Sequence, residues 1–88
     1  MRGERLIKEI KSIAPFQFKI KDSSKNMYIG IHGEVYICLT VSPSYIYDFM
    51  IFDWYGHGDW IKVKASEKYK IFQMIDNFYA WNKIYKSN

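Results

Sequence analysis

The fold is decided by residues 16–41, FQFKIKDSSKNMYIGIHGEVYICLTV. Apolar and polar residues alternate through this stretch with a period of two, which predicts β-strands with one buried face. A polar turn at residues 22–26 and the pair His32-Gly33 interrupt the alternation, so the second and third strands are predicted to form an antiparallel hairpin. The positions predicted to face the core are 16/18/20, 27/29/31, 35/37/39/41 and 61/63.

Helical patterns frame the strands at both ends of the chain. Near the N-terminus the apolar residues recur at the spacing of one helix face and Pro15 ends the pattern, which predicts a helix over residues 4–13. After a last strand at residues 60–64, a longer C-terminal helix is predicted. Its apolar stripe would contain Ile71, Met74, Ile75, Phe78, Trp81 and Tyr85.

The predicted architecture is therefore an α+β fold of two layers within one domain of 88 residues. An antiparallel sheet of three to five strands is flanked by an N-terminal helix and a longer C-terminal helix, in the order α-β-β-β-(β-β)-α. Both helices are expected on one face of the sheet, which leaves the opposite face open.

Residues 45–55, YIYDFMIFDWY, leave two alternatives open. β-branched and aromatic residues favour a strand, but both of its faces would be apolar, so a short helix is the competing interpretation. One layer of helices covers only one face of a strand. If this segment is a strand, its second apolar face is expected to need a partner.

Charge is sorted along the chain. The formal net charge is +4, from 13 Lys and Arg against 9 Asp and Glu, yet no Lys or Arg occurs between Lys25 and Lys62. The middle of the chain combines aromatic residues with sparse acids, between two basic ends. A partner would meet different chemistry on different faces, which indicates a binding protein before a catalyst.

Several classes of protein are disfavoured by the sequence. Cys38 is the only cysteine, so an intramolecular disulfide is excluded and a reducing cytoplasm is the expected compartment. The N-terminal residues lack the apolar core of a signal peptide, and the longest uncharged run is too short to cross a bilayer. We therefore predict a cytoplasmic protein with no membrane partner.

Catalytic motifs are lacking as well. The sequence contains no phosphate-binding loop, dinucleotide glycine pattern or nucleophile elbow. His57, between two glycines and close to Asp53 and Asp59, is the nearest approach to a catalytic or metal cluster, and a turn residue is the favoured interpretation. The sequence therefore predicts a protein that is not an enzyme and uses no metal or cofactor.

The leading hypothesis is a small protein that docks on a larger protein through the acidic and aromatic segment 45–60. Aromatic side chains would supply buried area and the aspartates charge complementarity. The format is similar to that of phage and mobile-element accessory or inhibitor proteins, and inhibition of a host defence nuclease is one specific role. The predicted contact residues are Tyr47, Asp48, Phe49, Phe52, Asp53, Trp54, Tyr55, Asp59 and Trp60.

Two other hypotheses use the same surfaces. In the first, the open sheet face binds nucleic acid, because lysines neutralise phosphate and aromatic rings stack on bases. Its predicted residues are Lys19, Lys21, Tyr28, His32, Tyr36, Trp60, Lys62 and Lys64. In the second, two copies of the chain associate through residues 45–60.

Overall fold

Five strands form one antiparallel sheet, and their order in the sheet follows the chain. The computed structural model describes residues 2–86, with side chains described as far as residue 80. The elements are α1 (Glu4–Ile13), β1 (Gln17–Asp22), β2 (Met27–His32), β3 (Val35–Val41), β4 (Ile46–Phe52), β5 (Gly58–Lys64) and α2 (Tyr69–Lys86). The predicted α+β arrangement is confirmed, with the strand number at its upper limit.

Both helices pack on one face of the sheet. Leu6 and Ile10 of α1, and Ile71 and Ile75 of α2, are buried in one cluster with the inward side chains of the strands. An ion pair of 2.8 Å between Glu9 Oε1 and Lys68 Nζ joins α1 to the residue that precedes α2. The buried side chains of the sheet are Tyr28, Val35, Ile37, Leu39, Val41, Tyr47, Phe49, Ile51 and Val63.

The predicted stripe of the C-terminal helix is confirmed where its side chains are described. Ile71, Ile75 and Phe78 are buried, and Met74 packs partly buried against the same cluster. The spacing works because residues three and four apart lie on one side of a helix. Trp81 and Tyr85 were predicted for the same stripe, and their side chains lie outside the described part of the chain.

The segment that the sequence left open between strand and helix is a strand. β4 pairs with β3 on one side and β5 on the other over its full length. Tyr47, Phe49 and Ile51 point under the helices and are buried. The alternate residues point to the other face of the sheet, which no described helix covers.

The predicted inward face of β2 is wrong. Tyr28 and Gly30 are buried under the helices, whereas Ile31 is 49% exposed on the opposite face. The reason is the hairpin, in which His32 pairs with Val35 across a two-residue loop at Gly33 and Glu34. Directly paired residues lie on the same face, so the even-numbered residues of β2 must join the odd-numbered residues of β3.

The first strand also departs from the prediction at its far end. Phe16 is fully buried and Phe18 is partly buried, as expected, but Ile20 is 59% exposed. Ile20 pairs with Tyr28 on the helix side, at the edge of the sheet. The ring of Phe18 fills the space above Gly30. A Cβ at position 30 would lie 2.7 Å from that ring. The glycine in β2 therefore makes room for an aromatic ring from β1.

Candidate functional site

The open face of the sheet, defined as the face opposite the two helices, carries a continuous apolar surface. Strand register places its side chains in rows that run across the sheet. One row runs Lys19, Ile29, Cys38, Met50 and Trp60, and the next runs Gln17, Ile31, Tyr36, Phe52 and Gly58. We call the seven apolar side chains of these rows the open-face patch: Ile29, Ile31, Tyr36, Cys38, Met50, Phe52 and Trp60.

The open-face patch is accessible to a partner. Trp60 is 63% exposed, and Ile31, Tyr36 and Met50 are also exposed. Tyr36 and Phe52 sit side by side with ring centroids 5.6 Å apart. Contiguous exposed apolar side chains on a soluble protein often mark an interaction site.

The neighbouring row that borders the patch is mostly polar. Asp22, Met27, Thr40, Asp48 and Lys62 follow each other across the sheet in that row. Lys62 Nζ lies 3.7 Å from Asp48 Oδ1, so part of this charge is paired within the chain. The border combines both signs of charge, and the middle strands contribute no lysine or arginine to it.

The residues predicted to bind nucleic acid divide between the two faces. Lys19, Tyr36, Trp60, Lys62 and Lys64 lie on the open face, as the register shows. Lys21 is exposed at an irregularity of β1, where the register shifts between Ile20 and Asp22.

Two members of that predicted set are on the wrong face. Tyr28 is buried under α1, and its hydroxyl donates a hydrogen bond of 2.9 Å to the backbone carbonyl of Arg2. His32 lies on the helix side, where its Nδ1 is 3.1 Å from the hydroxyl of Tyr79. Both were misplaced because the inward face of β2 was assigned one residue out of phase.

The contact residues predicted in the acidic and aromatic segment 45–60 also divide, between the core, the open face and the β4–β5 loop. Tyr47 and Phe49 belong to the core, so their predicted role as partner-facing anchors is wrong. Phe52 and Trp60 are in the open-face patch, whereas Trp54, at 75% exposure, and Tyr55 lie in the β4–β5 loop. Asp48 borders the patch, and the carboxylate of Asp59 accepts a hydrogen bond of 2.8 Å from the N–H of Trp60.

Asp53 was predicted to face a partner, and this is wrong because it is 1% exposed. Its Oδ1 accepts hydrogen bonds from the backbone N–H groups of Tyr55, at 2.9 Å, and His57, at 3.0 Å. Its Oδ2 lies 3.4 Å from His57 Nδ1. The carboxylate therefore holds the β4–β5 loop closed from within, and the exposed Trp54 and Tyr55 are carried on that loop.

Electrostatics at Asp53 follow from these contacts. Burial acts to raise the pKa of its carboxyl, since a charge is costly away from water. The two backbone hydrogen bonds and the nearby imidazole of His57 act in the opposite direction and prevail, so the pKa lies below its ordinary value. Asp53 is thus a structural anion, stabilised by the loop that it organises.

Two hollows lie outside the open face. A groove of about 790 Å³ runs between β5 and α2, and a hollow of about 530 Å³ lies beside the start of α1. Ile61, Met74 and Phe78 give the groove apolar walls, and Gln73 and Asn77 add amides from α2. Polar groups over an apolar floor are typical of binding grooves.

The structure brings together few groups with catalytic potential. Cys38 is on the open face and His32 on the helix side, so these two residues do not meet. Burial raises the pKa of the Cys38 thiol, while a hydrogen bond with Thr40 opposes the shift. Within residues 2–86, no group of three or more His, Cys, Asp or Glu is placed to hold a metal ion.

Comparison with protein-family models, curated proteins and solved structures finds no match to this chain. Among the described residues, no helix has the length and apolar character needed to span a bilayer.

Proposed function

We propose that this chain is a small non-enzymatic protein that binds a larger protein with the open face of its sheet. The observation that carries the proposal is the open-face patch, whose seven apolar side chains lie in two adjacent rows on strands β2–β5. Exposed apolar area is unfavourable in water, and burying it against a partner recovers roughly 25 cal/mol per Å². Partners recognised in this way present a complementary apolar surface.

The chemistry of the patch favours a protein over other partners. Ile29, Ile31 and Met50 are aliphatic side chains, which pack against side chains but provide no stacking surface for bases. The lysines of the face lie on its two outer strands, with Lys19 on β1 and Lys64 on β5. A matching partner has an apolar centre with acidic residues towards both sides.

The β4–β5 loop extends this surface at the end of the strand that carries Phe52. Trp54 and Tyr55 are exposed there, on a loop fixed from inside by Asp53. Exposed aromatic residues on an ordered support lose little conformational entropy on binding. We propose that the loop supplies a second group of contacts, in line with the roles expected of Trp54 and Tyr55 from the sequence.

Inhibition of a larger enzyme is one role that such a surface serves. A small domain can block an active site or a substrate channel by occupying its entrance. This keeps the earlier hypothesis of a phage or mobile-element accessory protein, including an inhibitor of a host defence nuclease, within the proposal. Cytoplasmic location belongs to the same proposal.

A second candidate function is binding of single-stranded nucleic acid. It is favoured by one observation, the presence of Tyr36, Phe52 and Trp60 together with Lys62 and Lys64 on the same face. Base stacking on such rings contributes roughly 1–3 kcal/mol per base. The absence of lysine and arginine from β2, β3 and β4 makes this the weaker candidate.

Affinity capture with a matched pair of variants tests the proposed function. Ile31 and Ile20 are both exposed isoleucines of the sheet, on the open face and the helix side respectively. The proposal predicts that a protein captured by the wild type is retained by Ile20→Lys and lost by Ile31→Lys. Capture that survives both Ile31→Lys and Trp60→Ala would show that the open face is not the binding surface.

Titration with oligonucleotides separates the two candidates. Short single-stranded DNA and RNA are added at low and at physiological salt, with the fluorescence of wild type compared with that of Trp60→Phe. Salt-sensitive quenching that disappears in Trp60→Phe would place nucleic-acid binding first.

Sedimentation of the same samples tests self-association. A dimer that is lost on Phe52→Asp would identify a second copy of the chain as the partner.

A further inference from the structure

The outer edge of β5 exposes backbone groups that are not used by the sheet. Among the described strands β5 pairs only with β4, and Ala65 N–H continues that pairing by donating to the carbonyl of Tyr45. Trp60 N–H and Lys64 N–H instead donate to side chains of Asp59 and Glu67. Because backbone groups alternate in direction along a strand, Lys62 N–H also points away from β4.

Carboxylates occupy two of these edge positions. Asp59 Oδ1 lies 2.8 Å from Trp60 N, and Glu67 Oε1 lies 3.3 Å from Lys64 N. Acceptors at alternate residues are what the carbonyl groups of a sixth strand would provide. Between them, Lys62 N–H has no hydrogen-bond partner among the residues that the structure describes. The edge thus has the hydrogen-bonding pattern of a strand whose neighbour is replaced by side chains.

The groove between β5 and α2 runs along this same edge, on the helix side. Its lining includes Ile61 of β5 and Met74, Asn77 and Phe78 of α2. An extended segment paired with β5 would direct every second side chain towards this groove. Its other side chains would lie on the open-face side, next to Lys62 and Lys64.

We propose that the β5 edge binds an extended peptide by strand addition, and that the peptide alternates apolar and acidic residues. Apolar side chains would enter the groove beside Ile61 and Phe78, and acidic side chains would pair with Lys62 and Lys64. Backbone hydrogen bonds would supply affinity independent of sequence. This site adjoins the open-face patch at Trp60, which carries one of the edge N–H groups, and the inference stands without the proposed function.

The opposite edge of the sheet does not offer the same site. β1 has a register irregularity between Ile20 and Asp22, and Lys21 lies within it. Such an irregularity is a usual means by which proteins prevent pairing at an edge. Lysines occur on both edge strands, but β5 pairs with β4 without a register shift and lies beside the groove.

Peptide selection on the full chain provides the first test. A phage-displayed library of ten-residue peptides carries random apolar residues at alternate positions and either Glu or Lys at the others. The proposal predicts enrichment of peptides with Glu and binding at least about tenfold tighter than their Lys counterparts. If no Glu-bearing peptide is enriched, or if Lys-bearing peptides bind equally well, the proposal is wrong.

A matched pair of variants then tests the backbone contact. Lys62→Ala removes the side chain and keeps the N–H, whereas Lys62→Pro removes both, at an edge where proline is tolerated. With an enriched Glu peptide, Lys62→Pro is expected to bind about tenfold more weakly than Lys62→Ala. Circular dichroism of both variants confirms that they are folded.

The bound peptide supplies a readout that does not depend on the variants. Amide hydrogen exchange at Lys62 should slow when the peptide binds, and N-methylation of the peptide's edge-facing amides should abolish binding. Protection of Ile31 and Phe52 amides without protection of Lys62 would place the peptide elsewhere and overturn the proposal. A dimer of the free chain that dissociates in Lys62→Pro would also overturn the proposal, because the β5 edge would then be occupied by a second copy of the chain and not by a peptide.

Discussion

The two faces of β4 have almost the same composition and opposite surroundings. Phe49 and Ile51 are fully buried under the helices, whereas Met50, the residue between them, lies on the open face and is 37% exposed. Both faces are built mainly from aliphatic and aromatic residues, and Asp48 on the open face is the one charged residue of the strand. The core face is the one that the helices cover, and Asp48 marks the other.

The comparison separates residues that stabilise the fold from residues that are available for binding. Burial of Phe49 in the core cluster contributes to folding because water is already excluded there. The side chains of the open-face patch gain comparable burial only when a partner arrives. Substitutions on the two faces are therefore expected to differ in what they change, stability on one and association on the other.

The largest expected effect is the difference between Phe49→Ala and Met50→Ala. Phe49→Ala leaves a cavity in the core and should lower the free energy of unfolding by about 3–5 kcal/mol. Met50→Ala should lower it by less than about 1 kcal/mol, because the side chain is exposed. Urea denaturation at fixed temperature measures both values. Equal losses would mean that the open face is also part of a core.

A second test concerns the loop that follows β4. Asp53→Ala removes the acceptor for two backbone N–H groups, so the free energy of unfolding should fall by about 1–3 kcal/mol. Asp59→Ala is the control, since that carboxylate is exposed and, within the part of the chain that the structure describes, accepts a hydrogen bond only from the N–H of Trp60. Thermal unfolding compares the two variants. A larger loss for Asp59→Ala would contradict the role assigned to Asp53.

The same carboxylate predicts a pH dependence. The pKa of Asp53 is lower in the folded chain than its ordinary value of 3.8, so its charge contributes stability above that value. This contribution is lost as the pH falls through the lower, folded pKa. Urea denaturation at about pH 7 and about pH 2.5 should show a smaller loss on acidification for Asp53→Asn than for wild type. An equal loss in both chains would assign the acid sensitivity to other carboxylates.

Most of the fold follows from the sequence because it depends on local patterns. The helix at residues 4–13 and the alternation in β3 were predicted with their observed limits, since periodicity and Pro15 specify them directly. The inward face of β2 was predicted wrongly because both of its faces are partly apolar. The length of the loop between β2 and β3 nevertheless specifies that face. A two-residue connection at Gly33 and Glu34 pairs His32 with Val35 and so sets the buried face.

The site was harder to predict than the fold. Tyr47 and Phe49 were not distinguished from Met50 and Phe52, because apolar residues occupy both faces of β4. The one signal was Asp48, which alternation places on the same face as Met50 and Phe52. The sequence at Asp53 did indicate a turn. An aspartate can accept a hydrogen bond from the N–H two residues on, and Gly56 at φ 81° continues that turn. Its burial depends on packing, which the local sequence does not specify.

The smallest expected effect is a rate measured at Cys38, which reports on the open face without changing the fold. Burial raises the pKa of this thiol, so Ellman's reagent should label it more slowly than free cysteine, by at least about threefold. Met50 is its direct neighbour across the sheet, and Met50→Ala should speed labelling by exposing the sulfur. Ile20→Ala, on the helix side, should leave the rate unchanged. If both variants labelled at the wild-type rate, local unfolding would control access to Cys38, and the open face would be less accessible than its exposed neighbours indicate.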